Sequence, residues 1–303
     1  MMTSKNLVHY VSLFFAMLFW GGSFVLTKHL LTDFHPITVI FARLVISSIL
    51  FVIIGLSIYK KDFFISKKHI LLFSALAFFE PVVYFLFETY SLQFTDPSIV
   101  SVIIATIPLF VAFVAVYFLK ETFSKSNFLG VFLSVFGIVI MLFPSFSDSS
   151  VSLLGVLLAF GAVLSTIGYN YFLKKIPHTY SPLLVITWQN LFGLIVFTPL
   201  FLLMNSTESI VIQWNALSDI NNLIALLLLA IFCSSIAFIL YIKGVRHIGV
   251  AKANTFTNLI PVITAFISFF LFNEVVTWNK IAGILVVLTG IFLVQLKRKP
   301  INH

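Results

Sequence analysis

The sequence predicts an all-α integral membrane protein: ten transmembrane helices arranged as two inverted five-helix repeats, with both termini cytoplasmic. The first observation is composition. Of 303 residues, 60% are apolar and 9% charged, and the mean hydropathy is +1.13. Soluble domains carry roughly 25% charged residues, so this chain cannot build a solvated surface. The second is segment length. Ten apolar segments, 9–31, 36–58, 69–92, 97–119, 126–143, 151–173, 182–204, 222–242, 249–272 and 278–296, stand near the roughly 20 residues that cross a bilayer core. Lipid cannot satisfy backbone groups, so the spans are helices; a closed barrel would instead read as alternating segments of about ten residues. The third observation is an internal repeat.

The repeat runs through both halves. At an offset of 153, Pro108 falls on Pro261, Glu121 on Glu274, Gly130 on Gly283 and Gly137 on Gly290. Apolar identities mean little in so apolar a chain, but a Pro, a Glu and two Gly in one ungapped register do not arise by composition. At an offset of 146, Gly22 falls on Gly168, Lys28 on Lys174 and Pro36 on Pro182. The change of offset places seven extra residues in the second half, in the polar run 205–222. The two units are 1–147 and 148–303. Each holds five spans, and an odd number sends the second copy into the membrane from the opposite side. Lys and Arg give the orientation: with both ends cytoplasmic, fifteen fall on the inner side and two, Lys28 and Lys280, on the outer, Arg43 being intramembrane.

Several function classes are disfavoured. The net charge of +8 sits in short loops, so nucleic acid is not an expected partner. One cysteine, Cys233, allows no disulfide framework and no cysteine metal site. No glycine-rich phosphate loop ending in Gly-Lys-Ser/Thr occurs, no cofactor is implied, and no removable signal peptide is evident. An intramembrane lipid-modifying enzyme would need a histidine-rich or paired-acid cluster at one surface, and a receptor would need longer loops; neither is seen. Inverted repeats instead point to a secondary transporter with its site near the midplane.

Phe19-Trp20-Gly21-Gly22-Ser23-Phe24, Arg43, and the paired blocks Leu119-Lys120-Glu121…Gly130…Gly137 and Phe272-Asn273-Glu274…Gly283…Gly290 carry a resemblance. The chain resembles the EamA-type members of the drug/metabolite transporter superfamily over nearly its whole length. That resemblance implies a ten-helix transporter and a bacterial inner-membrane location; it does not imply one substrate, because the family handles amino acids, metabolites, drugs and sugar derivatives.

Candidate site residues follow from intramembrane polarity. Glu80 and Glu88 lie in one span, where a central charge costs about 2.5–3.5 kcal/mol on insertion scales and is functional by default. Steps of four put Glu80, Tyr84 and Glu88 on one helix face. Arg43 and Glu88 fall at similar depth, so they form either a packing ion pair or an outer gate. Glu80 has no cation at its depth. It serves proton coupling or a substrate amine, or it is a protonated group bonded to a neighbouring helix. Pro108 and Pro261 kink the fourth and ninth spans as hinges or static bends. Asn254 and Asn258, four apart, contact a polar substrate or bond across helices. Trp20 is a cavity wall or packing. Tyr169, Asn170, Trp188 and Gln189 lie toward the cytoplasmic side. Glu121 and Glu274 read as structural ends, and the paired glycines as close-packing faces. The expected activity is alternating-access transport of a small polar or amphipathic metabolite, such as an amino acid or drug-like compound, outward and with proton coupling through Glu80. The rival on the same fold is a nucleotide-sugar or lipid-carrier exchanger, which would need cations facing the cavity.

Overall fold

The computed structural model describes residues 4–110, 125–142, 152–272 and 277–295. Among these residues every regular element is helical. The first two long helices are α1 (Ser4–Leu30) and α2 (Pro36–Tyr59). A broken span follows: α3 (Ile70–Ala77), a widened π turn (Phe78–Val83) and α4 (Tyr84–Phe94). Then come α5 (Pro97–Ile104) and α6 (Lys125–Leu142). The second half brings α7 (Leu153–Lys175), α8 (Pro182–Met204) and a short helix α9 (Thr207–Ala216). Next is a second broken span, α10 (Ile220–Leu228), a π turn (Leu229–Ile236) and α11 (Ala237–Ile248). The chain continues through α12 (Val250–Asn254), a 3₁₀ turn (Thr255–Leu259), α13 (Ile260–Phe272) and α14 (Trp278–Gln295).

Six spans among the described residues are long and apolar enough to cross a membrane: Val8–Leu30, Pro36–Tyr59, Lys67–Phe94, Leu153–Lys175, Pro182–Met204 and Ile220–Ile248. Shorter apolar helices run over Pro97–Phe110, Phe256–Leu271 and Trp278–Gly290. The six long spans lie within about six residues of six of the expected segments, and the end of the segment 97–119 falls outside the described residues. One element was unforeseen: the polar run 205–222 contains α9. Ser206 caps its start by accepting from the Ser209 N–H at 3.2 Å, a local signal that hydropathy alone does not carry.

The repeated prolines have a local explanation. Pro36 and Pro182 open α2 and α8, where a missing N–H costs nothing. His35 and Ser181 cap those starts, accepting from the Ile37 N–H at 3.3 Å and the Leu184 N–H at 3.2 Å.

Loop contacts gather at two ends of the bundle. At one end the His35 N–H donates to Gln213 (2.8 Å), Asn222 donates to Asp33 (3.0 Å), the Ser152 N–H donates to the Phe94 carbonyl (3.2 Å), and Lys280 pairs with Asp96 (3.4 Å). Lys28 joins them, donating to the Leu92 carbonyl in the last turn of α4 (2.7 Å) and to the Thr95 carbonyl just past it (3.2 Å). At the other end Tyr180 receives the Ser66 N–H at 3.1 Å, Arg246 donates to the Tyr180 carbonyl at 2.7 Å, and Trp188 donates to the Phe63 carbonyl at 2.9 Å. There the imidazoles of His9 and His247 stack 3.8 Å apart.

Small residues allow the closest approaches. A Cβ on Gly137 would stand 2.8 Å from the Gly283 carbonyl, so α6 and α14 pack backbone to backbone. Gly21 admits the Ile263 side chain of α13, which a Cβ there would meet at 2.6 Å, and Thr264 donates to the Gly21 carbonyl at 2.8 Å. Such contacts replace the hydrophobic drive that is missing between helices in lipid.

Candidate functional site

Two π turns and two breaks ahead of prolines interrupt the helices of the bundle. In the first, Glu80 leaves the helical region (φ −148°, ψ 119°), so the span predicted to run unbroken is divided there. Pro81 is the cause: it has no N–H, and its ring opposes the preceding turn. The break is seated by glycines. Phe79 lies where a Cβ of Gly168 would stand 2.3 Å away, and the Pro81 ring where a Cβ of Gly193 would stand 2.4 Å away. Ser165 donates to the Phe79 carbonyl at 2.6 Å, which also accepts the Tyr84 N–H.

The second π turn exposes carbonyls and hydroxyls to α1, α2 and α8. Trp20 Nε1 donates to the Cys233 carbonyl at 3.2 Å, and the Cys233 thiol donates to the Phe19 carbonyl at 3.1 Å. Ser234 donates to the Leu229 carbonyl at 2.8 Å and accepts from Arg43 Nε at 2.7 Å. Ser47 bonds Ser235, and Asn190 donates to Ser47 at 2.6 Å. Arg43 is thus held on one side by the turn. On the other, Nη1 stands 4.0 Å from Glu88 Oε2, and the guanidinium lies 3.9 Å from the Phe85 ring centre. The side chains of Arg43 and Glu88 are 2% and 3% exposed, so this ion pair is shielded from water.

Beside the first π turn lies a cavity of about 40 Å³, room for a few water molecules. Trp20, Arg43, Glu80, Tyr84, Glu88, Tyr169 and Asn254 all line it. The broken span still brings its two acids and Tyr84 to one surface, although it is not one continuous helix. The acids differ in their partners: Glu88 faces Arg43, whereas the Glu80 carboxylate has no hydrogen bond or ion pair among the described residues. Trp20 stacks edge-on to Phe238, ring centres 4.9 Å apart, and forms part of the aromatic wall.

Other predicted residues lie elsewhere. Asn258 does not line the cavity. Asn254 and Asn258 would share a face on an α-helix, but Thr255–Leu259 is a 3₁₀ turn, in which residues three apart align. Thr257, not Asn258, therefore joins Asn254 at the cavity wall. Pro108 and Pro261 also stand outside the wall. Their effect is on the backbone before them: α5 ends at Ile104, four residues ahead of Pro108, and the 3₁₀ turn precedes Pro261. Gln189, the repeat partner of Arg43, is buried with Oε1 unpartnered among the described residues. Glu121 and Glu274 lie outside the described residues.

Comparison with known proteins supplies what the geometry does not. The sequence profile described as "EamA-like transporter family" matches residues 8–143 and 153–296. The chain belongs to the EamA-like transporter family. It is 25% identical to "Uncharacterized transporter YetK" of Bacillus subtilis, over 98% of this chain and 90% of that one. It is 26% identical to an "Uncharacterized transporter" of Archaeoglobus fulgidus, over 92% and 96% of the two chains. A solved crystal structure superposes with a TM-score of 0.61 over 93% of this chain and 98% of the other. At 13% identity, that likeness is one of fold.

This EamA-like protein is therefore an integral plasma-membrane transporter of a small molecule, not an enzyme. Sequence reasoning passed over Tyr241 at the cavity wall and two serines that hold residues behind it. Tyr241 bridges two helices, its hydroxyl 3.0 Å from Asn170 Oδ1 and 3.0 Å from Asn254 Oδ1. Ser234 and Ser235 organise Arg43 and Ser47. The signal for them was present: Cys233-Ser234-Ser235 is a small polar run inside an apolar span.

Proposed function

We propose that this EamA-like protein is a secondary transporter that exports a small polar or amphipathic metabolite bearing an amine. It works by alternating access between two inverted halves, 1–147 and 148–303, ten helices in all with both termini cytoplasmic. Glu80 takes up either a proton or the amine of the cargo. The observation that carries this reading is the Glu80 carboxylate, 5% exposed and facing the cavity without a partner among the described residues. A buried charge without a partner is costly, so a carboxyl kept there serves to exchange one positive species for another. Two profile matches along the chain support a pair of related halves, as do the two backbone breaks ahead of Pro108 and Pro261, whose residues Ile107 and Ile260 line the cavity. Discontinuous helices meeting at a central site are the common build of secondary transporters. Nucleotide-sugar exchange is less well supported, because Arg43, the cation at the cavity wall, is already engaged by Glu88 and Ser234.

The test is untargeted metabolite profiling of cells and medium for wild type, Glu80→Gln and empty vector at matched membrane expression. A compound should accumulate in the medium with wild type alone. Its export should fall about tenfold or more in Glu80→Gln, the scale of one charge-assisted interaction. Equal export by Glu80→Gln would reduce Glu80 to a packing residue.

A further inference from the structure

The polar atoms around the cavity are unequal in kind. Asn170 Nδ2 donates to the Thr166 carbonyl at 2.9 Å, which fixes that amide and leaves its Oδ1 toward Tyr241. The single hydroxyl hydrogen of Tyr241 is then committed to Asn170. Asn254 Oδ1 also lies 3.0 Å from that hydroxyl, while Asn254 Nδ2 has no partner among the described residues. Amide nitrogen and oxygen are distinguished by their hydrogen bonds. Turning the Asn254 amide over resolves both difficulties: Nδ2 donates to the Tyr241 oxygen, and Oδ1 faces the cavity.

The neighbouring hydroxyls point the same way. Ser23 donates to the Trp20 carbonyl at 2.7 Å, Thr166 to Ala162 at 3.1 Å, and Thr257 to the Asn254 carbonyl at 2.7 Å. Each has given its hydrogen to its own backbone and shows the cavity an oxygen lone pair. Arg43 Nε is turned to Ser234 and Nη1 to Glu88. The Asn254 side of the wall thus gathers acceptors, while the donors at the wall, the Tyr84 and Tyr169 hydroxyls and the Arg43 guanidinium, belong to other residues of the lining.

We infer that Asn254, oriented by the Thr166–Asn170–Tyr241 chain, presents its carbonyl to cargo and makes the site selective for a protonated primary amine, whose three N–H groups meet these acceptors. A quaternary ammonium of equal charge has no hydrogen to offer them. The inference rests on the reading of this cavity as the cargo site.

Two probes small enough for this cavity separate hydrogen bonding from charge: methylammonium and tetramethylammonium. Binding to the purified full-length protein is measured calorimetrically. Wild type should bind the primary amine about tenfold tighter or more, as for a charge-assisted hydrogen bond. Asn254→Ala should bring the ratio to within about threefold, while Asn254→Asp, which keeps an acceptor, should preserve it. Tyr241→Phe frees the amide to turn, and Asn254→Leu removes the acceptor without opening space beside it. A fall in the ratio in Asn254→Leu excludes mere relief of crowding. Equal binding of both probes by wild type, or an unchanged ratio in both Asn254→Ala and Tyr241→Phe, overturns the inference. Glu80→Gln should weaken both probes alike. If it does not, while the ratio still depends on Asn254, the role given to Glu80 fails and this inference stands. If wild type binds neither probe, both are overturned.

Discussion

Arg43 and Glu88 show how strongly a buried charge depends on its partner. The guanidinium is held by Ser234 and Phe85 as well as by the carboxylate, yet Arg43 Nη1 and Glu88 Oε2 each lack a hydrogen bond among the described residues. Removing one member strands the other. Arg43→Met is therefore expected to lower stability by about 3–5 kcal/mol, read as a fall in the unfolding temperature in detergent. Arg43→Met with Glu88→Met should recover most of that loss, since well-packed apolar residues commonly replace a buried pair without penalty. The double variant is also expected to transport, because Arg43 is engaged by protein groups. A stable double variant that no longer transports would instead assign the pair to gating.

At the scale of elements, the break at Glu80 exists because two other helices make room for it. Gly193 of α8 lies against the Pro81 ring, which is rigid and closed. Gly193→Ala places a Cβ 2.4 Å from Pro81 Cγ and should cost about 1–3 kcal/mol, the range of overpacking. Gly22→Ala, with its nearest neighbour 3.7 Å away at Ile267, should be nearly neutral in the same unfolding assay. These elements also show what the sequence carries. Apolar length located the spans to within a few residues, and intramembrane acids and aromatics pointed to Glu80, Tyr84, Glu88, Trp20 and Tyr169 at the cavity wall. Helix periodicity, however, assumes one continuous helix. It could not anticipate the π turn around Cys233, because that turn contains no proline and is maintained by bonds to residues more than 200 positions away, such as Trp20 and Phe19. It misplaced Asn258 for the same reason: a 3₁₀ turn advances about 120° per residue and an α-helix about 100°.

On the scale of the whole molecule, the two clusters of loop contacts define two membrane faces, and the proposed orientation assigns the basic one to the cytoplasm. Cys233, the single cysteine, is buried; in a Cys233→Ala background, Thr32→Cys should react with an impermeant maleimide in intact cells. Lys67→Cys should react only after permeabilisation, and the reverse pattern inverts the topology.

Alternating access further requires that some backbone at the cavity change shape, and the stretch before Pro261 is the best placed. Ile260 and Thr257 line the cavity on either side of it, and Thr257 is the residue whose carbonyl an N–H at position 261 would otherwise engage. Pro261→Ala restores that donor and allows the 3₁₀ turn to relax to α. Over the three residues from Asn254 to Thr257 this changes the rotation from about 360° to about 300°, turning the Thr257 oxygen about 60° away from the Asn254 side of the wall. Pro261 stands in the first turn of α13, where a proline costs little, so its removal is not expected to destabilise the fold. The variant should therefore unfold at the same or a higher temperature while exporting more slowly than wild type from matched vesicles. Unchanged export in a variant of undiminished stability would make the break a static bend, and the moving element would have to be sought at the corresponding turn before Pro108.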